Sequence, residues 1–278
     1  MTRTPPRLFF VAFALFAGSV AFSLAGMLAL QLAPAIAGRV GAILGLLMTV
    51  PTWIYSVTLP LAVFLAFHRI VGARRGLAFA AWGILIGASA ELIGTTTGFP
   101  FGPYSYSDFL GPKILGHVPY AIPASWYAAA LLSFSLASAT GVTRARRVLL
   151  AAAFMVLWDV ALDPAMSAGF PIWLWHVEGF FYGMPLVNWF GWFVTALVIM
   201  LGFEVIQRRE ALAGGVWPAV IWSVNGVFAI GICVKAGLWL AVLIGAVAIA
   251  LPPLLAMRRR PFLARVHPAI GETMQVAG

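Results

Sequence analysis

Residues 8–32 read LFFVAFALFAGSVAFSLAGMLALQL, twenty-five positions without a charge. About 20 apolar residues are enough to cross the hydrocarbon of a bilayer as a helix, so this stretch points to lipid as the solvent. The pattern recurs along the chain. Spans are expected at roughly 8–31, 45–67, 77–94, 121–139, 148–165, 187–206, 216–234 and 237–257. These runs are continuous rather than alternating, which favours helices over barrel strands. Of 278 residues, 63% are hydrophobic and 9% charged, with mean hydropathy +1.00. A water-soluble domain cannot bury that much apolar surface. The expected fold is all-α, a polytopic transmembrane bundle of about eight spans forming one integral membrane domain over 1–278.

Two spans read less simply. Pro51 and Pro60 interrupt the second, which is either one kinked helix or a re-entrant piece followed by a span. The first begins like a signal peptide, with Arg3, Arg7 and a conceivable cleavage site at Ser23-Leu24-Ala25. Its apolar run continues to Leu32, longer than a signal core, so an anchored helix is expected.

Charge sets the orientation. Fourteen of the seventeen basic residues fall on one side of an eight-span model: Arg3, Arg7, Arg69, Arg74, Arg75, Arg144, Arg146, Arg147, Arg208, Arg209, Arg258, Arg259, Arg260 and Arg265. Arg39, Lys113 and Lys235 are the remainder. The rich side is expected to be cytoplasmic, with both termini inside a plasma (inner) membrane. The net charge of +9 is thus topogenic, and no basic stripe suited to nucleic acid is present. The single Cys233 lies in an apolar run and reads as a small core residue.

The chain has only eight acids. Glu204, Glu210 and Glu272 fall at or beyond the cytoplasmic ends, where solvation or a helix dipole accounts for them. Glu91, Asp159 and Asp163 instead lie inside apolar helices, toward their outer ends. A carboxylate deep in a spanning helix costs roughly 2.5–3.5 kcal/mol on insertion scales, so such groups are rarely idle. Gly83, Gly87 and Glu91 are spaced by four, placing Glu91 on a small-residue face suited to helix packing. Asp159 and Asp163 share a face for the same reason.

Two outer loops join these helices. Residues 95–120 carry Phe99, Phe101, Tyr104, Tyr106 and Phe109; residues 164–188 carry Phe170, Trp173, Trp175, Phe180, Phe181 and Tyr182. An interfacial aromatic belt explains some of these rings, and lids or binding elements explain loops this long. Both repeat an order of acid, Gly-Phe-Pro, aromatics, Pro and Trp, too short a match to establish duplication. His117 and His176 read as interfacial hydrogen-bonders, His68 and His267 as cytoplasmic-edge residues. The four histidines are too scattered for a metal site.

Several motifs stand together: Glu91-x-x-Gly-Thr-Thr-Thr-Gly-Phe-Pro-Phe-Gly-Pro-Tyr-x-Tyr106, Gly111-Pro-Lys-Ile114, Pro119 with Ile122-Pro-x-Ser-Trp126, and Trp158-Asp159-x-x-x-Asp163-Pro164. Trp173-x-Trp175 and Gly179-Phe-Phe-Tyr-Gly-Met-Pro-Leu-Val-Asn-Trp-Phe-Gly-Trp192 complete them. On these motifs the sequence resembles the membrane-integral carotenoid 1,2-hydratases of the CruF type. The resemblance covers roughly 90–195, and Met184 departs from it, standing where a smaller β-branched residue is expected. It implies addition of water across the terminal double bond of an acyclic carotenoid, with no organic cofactor; separately, the aromatic and apolar flanks of the acids, in place of an oxygen-rich shell, point to no metal. The implied partners are the carotenoid, the bilayer and other membrane enzymes of the carotenoid pathway. It also brings Glu178, Tyr182, Asn188 and Trp189 to the substrate.

The chemistry fits these residue types. Protonating a trisubstituted alkene at its less substituted carbon leaves a tertiary cation for water to capture. The donor must be an acid that keeps its proton, and a second carboxylate deprotonates the water. Asp159, deeper than Asp163, is the expected donor; Asp163 and Glu91 would hold or deprotonate the water, with Asn188 as a polar orienter. Trp126, Trp158, Trp175, Tyr104 and Tyr106 are the candidate faces for the cation. Two other classes are weighed. A magnesium-dependent membrane prenyltransferase would need a second acidic motif, which is missing. A transporter would place its acids nearer the midplane.

Overall fold

The computed structural model describes residues 4–212 and 214–258. Arg3, Arg259, Arg260, Arg265, His267 and Glu272 lie outside the described residues. Among the described residues eight helices, each long and apolar enough to cross a membrane, run α1 (Arg7–Leu32), α2 (Ala35–Val71), α3 (Ala73–Thr97) and α4 (Ala121–Ala139), then α5 (Arg144–Pro164), α6 (Val187–Ile206), α7 (Trp217–Lys235) and α8 (Trp239–Met257). Each helix from α1 to α5 packs against the next in sequence, as does α7 against α8, whereas α6 packs on α5 and α3 rather than on α7; α4, buried along most of its length, sits at the centre.

The second span is one continuous helix. Pro51 and Pro60 each remove a backbone donor, but neither breaks α2. At 1.5 Å per residue its 37 residues reach about 55 Å, so it must tilt or run past the ~30 Å apolar slab.

The small-residue face of α3 packs where its spacing suggests. A Cβ added at Gly83 would lie 3.0 Å from the Tyr127 backbone, and one at Gly87 only 2.7 Å from Trp126 Cβ. The glycines let α4 approach closely and bring its Trp126 level with Glu91. Beyond Glu91, α3 stops at Gly98, in the left-handed conformation that glycine adopts without strain.

The 95–120 and 164–188 loops carry four short strands: β1 (Tyr104–Tyr106), β2 (Lys113–Ile114), β3 (Val118–Pro119) and β4 (Trp173–Trp175). β2 and β3 close a small hairpin within the first loop. β1 and β4 pair antiparallel, joining one loop to the other. Beyond Pro164, α5 runs on through a π-helical turn, Ala165–Gly169. Such turns often occur at functional sites.

At the other end the structure corrects one reading. Glu204 is not solvated: its side chain is fully buried and receives Arg147 Nε at 2.5 Å and Nη2 at 2.7 Å. Arg144 adds a longer contact at 3.5 Å. Hydropathy alone puts Glu204 near an edge; the facing arginine on α5 lets it sit inside.

Candidate active site

The β1–β4 ribbon makes the site. Side chains alternate faces along a strand, and directly paired residues share a face. The register is Tyr104 opposite Trp175 and Tyr106 opposite Trp173, so two phenols and two indoles point together into the bundle while Leu174 turns outward. Each pair takes one carboxyl. Tyr104 and Tyr106 donate to Glu91 Oε2 at 2.5 and 2.8 Å, and Trp126 Nε1 donates to Oε1 at 2.7 Å. Trp173 and Trp175 donate to the two oxygens of Asp163 at 3.1 and 3.2 Å, and Ser167 adds a bond at 3.0 Å. Burial, reinforced by the charge of Glu91, pushes both phenols well above the ordinary tyrosine value. They therefore remain protonated donors.

Asp159 lies one turn inward from Asp163, close enough for the charges of Asp163 and Glu91 to act on it. Asn188 donates to its Oδ2 at 2.8 Å and lies 3.0 Å from Met184 Sδ. The departure at Met184 is thus accommodated, with the thioether packed against the amide. Asp159 Oδ1 has no hydrogen-bond partner among the described residues.

Two cavities meet here. One of about 50 Å³ is lined by Glu91, Asp163, Tyr104, Tyr106, Trp175 and Asn188. That is space on the scale of one or two waters. The other, about 650 Å³, is largely apolar and lies between the α1–α2 hairpin and α4, α5 and α7. Ser125, Trp126, Leu162, Trp173 and Trp192 line both. Trp192 stacks on Trp126 with centroids 4.3 Å apart.

The structure gathers Glu91, Asp159, Asp163, Tyr104, Tyr106, Trp126, Trp175 and Asn188 into one cluster. Trp158 lines the large cavity, its ring tilted against Trp222. Three residues that sequence places at the substrate line neither cavity. Bridges from Gly179 to Gly183 and from Phe181 to Met184 fold this segment back on itself. Glu178 is left exposed, the Tyr182 hydroxyl accepts the Leu240 N–H at the start of α8, and Trp189 packs on Phe181. Asp163 is no more open to bulk solvent than Asp159, since the ribbon and π turn leave it 1% exposed. Asp159, the expected donor, lines neither cavity. Trp173, Ser167 and Trp192 are site residues missing from the sequence-based set; the period-two match of Trp-x-Trp to Tyr-x-Tyr is the signal for Trp173. His176 bonds Ser105, not an acid, and His117 is exposed.

A family described as carotenoid biosynthesis protein matches residues 51–252, nearly three quarters of the chain and the whole of this cluster. The chain belongs to that family. Among curated relatives of this carotenoid biosynthesis protein is the bisanhydrobacterioruberin hydratase of Haloarcula japonica, 34% identical over 148 residues. The match takes in 51% of this chain and 49% of the relative, so the chain spans about half the length of that protein. No solved structure matches.

Proposed function

We propose that the protein is a carotenoid hydratase, adding water across the terminal C=C of an acyclic carotenoid end group to give a tertiary alcohol. One observation carries this reading: a large apolar cavity shares a wall with a water-sized chamber that holds two carboxyls. The polyene would lie in the large cavity with its end against Trp126 and Trp173. The hydratase among its relatives supports the same class of reaction.

Because Asp163 lines the chamber and Asp159 does not, Asp163 is the better donor. Two carboxyls one turn apart in an apolar surround repel as anions, so the pair is taken to share one proton. Asp163 gives its proton to the less substituted alkene carbon, and the π electrons form that C–H bond. The tertiary cation faces Trp126 and Trp173, whose ring faces are worth up to ~2 kcal/mol or more when dry. Water in the chamber attacks the cation and loses a proton to Glu91, so the net addition is H and OH. Tyr106, bonded to Glu91 and within the field of Asp163, is placed to return the proton. Asp159 and Asn188 set the charge behind the donor.

Purified protein supplied with an acyclic carotenoid in heavy-oxygen water should put the label into a product hydroxyl; unlabelled or unchanged carotenoid would overturn the reading. No three His, Cys, Asp or Glu side chains among the described residues are placed to hold a metal ion, and the acids face N–H and O–H donors. Exhaustive chelation should therefore leave turnover intact. Loss restored by magnesium would favour a prenyltransferase instead.

The site is proposed to face away from the cytoplasm. Asp108, held below the usual carboxylate range by its bond to Lys113, and Glu178 lie at the end opposite Arg146. Cysteines introduced at 108 and 178, but not at 146, should label from outside intact cells. The reverse pattern would invert the topology.

A further inference from the structure

The large cavity contains a second polar feature away from the acids. Tyr55 on α2 donates its hydroxyl to Asn225 Oδ1 on α7, and both side chains line the cavity. Asn225 is 5% exposed, and its Nδ2 makes no hydrogen bond among the described residues. It lies ten residues before the Lys235 end of its helix, whereas Asp163 lies six residues before Gly169, where the helical run of α5 and its π turn ends. The pair is therefore set further into the bundle than Asp163.

A polar pair inside a bundle often serves only to join helices. Such a role would be complete with donors and acceptors matched, and here an amide donor is left over on an apolar wall, where an unmet donor is costly. Four of the five short hydroxyls on this wall, all but Ser23, behave differently. Ser19, Thr52, Ser56 and Ser125 each donate to a carbonyl of their own helix three or four residues back. Their hydrogens are spent within the helix; that of Asn225 is offered to the cavity.

We propose that Asn225, held by Tyr55, is a subsite for an oxygen function on the polyene, a hydroxyl remote from the reacting alkene. The proposal deepens the hydratase reading by naming its substrate class as an already oxygenated isoprenoid chain. The Tyr55 hydroxyl fixes the amide on its Oδ1 side, which leaves Nδ2 to donate to the substrate oxygen.

The test compares two probes on the full chain in detergent: an acyclic polyene hydrocarbon and the same polyene hydroxylated at one end. Binding is read from quenching of tryptophan fluorescence. The wild type should prefer the hydroxylated probe, and Asn225→Leu should reduce that preference about tenfold, near the upper end for one neutral hydrogen bond. Tyr55→Phe, which keeps the ring, should reduce it less. Because each preference is a ratio measured on one protein, a loss of folded material cancels. An unchanged ratio in Asn225→Leu, or no wild-type preference, would overturn the subsite and leave the pair as helix glue. Selective binding without incorporation of labelled water would instead sink the hydratase reading and leave the subsite standing.

Discussion

Asp163→Asn should lower hydration by at least roughly a hundredfold, the lower range for losing a general acid. The change keeps the shape of the side chain but removes the transferable proton. It also sets an amide NH2 against donors, because the Trp173 and Trp175 N–H groups converge on this group and the Ser167 hydroxyl is shared between it and the Asp163 carbonyl. Glu91→Gln should be nearly as damaging, since an amide cannot take the proton from water and meets the Tyr104, Tyr106 and Trp126 donors. Asp159→Asn should retain more turnover than either, because it lines neither cavity and acts only through its neighbours. All three are to be scored as turnover per folded protein, with folding followed by thermal melting in detergent. If Asp159→Asn is dead and Asp163→Asn near normal, the deeper acid is the donor and the depth argument from sequence was right. Three active variants would make the carboxyls structural and end the acid mechanism.

The depth argument shows what a sequence conveys about this site. The spans are legible because hydropathy acts locally: each of the eight is a run of apolar residues, and the helices lie within a few residues of those runs, except that α2 begins ten residues before its run. The spacing of Gly83, Gly87 and Glu91 is equally local, and it does mark the face that meets Trp126. What hides is pairing across distance. Nothing near Tyr104 announces that Trp175 will lie opposite it, and strands of three residues carry too little alternation to be read alone. Without that ribbon, Asp163 next to Pro164 reads as a helix end near water. With it, the acid is roofed by two indoles. The same gap explains where three other residues fall. Glu178, Tyr182 and Trp189 sit among residues of the cluster in sequence, but a tight reversal turns them away from both cavities. Hydrogen-bonding geometry, not proximity along the chain, separates Trp175 from Tyr182.

The largest effect on stability is expected at the opposite end. Arg147 is 5% exposed and Glu204 fully buried. The guanidinium engages both carboxylate oxygens, reaches the Arg209 carbonyl at 3.3 Å and stands 5.5 Å from the Phe134 ring centre. The group thus ties α5, α6, α4 and the segment after α6 together. Removing one partner strands the other charge in an apolar surround, which costs about 3–5 kcal/mol for a buried pair. Arg147→Met should therefore unfold at markedly lower denaturant or temperature in detergent, and Glu204→Leu should do the same. The double variant should recover most of the loss, because well-packed apolar residues can replace a buried pair at little cost. Turnover per folded molecule should not change in any of the three, since the pair lies at the end of the bundle away from the acids. Two single variants with wild-type melting would show that water still reaches this pair and that its closed geometry contributes nothing. A double variant as unstable as the singles would show instead that the bonds to Arg209 and Phe134, and not the charges, hold this end of the bundle.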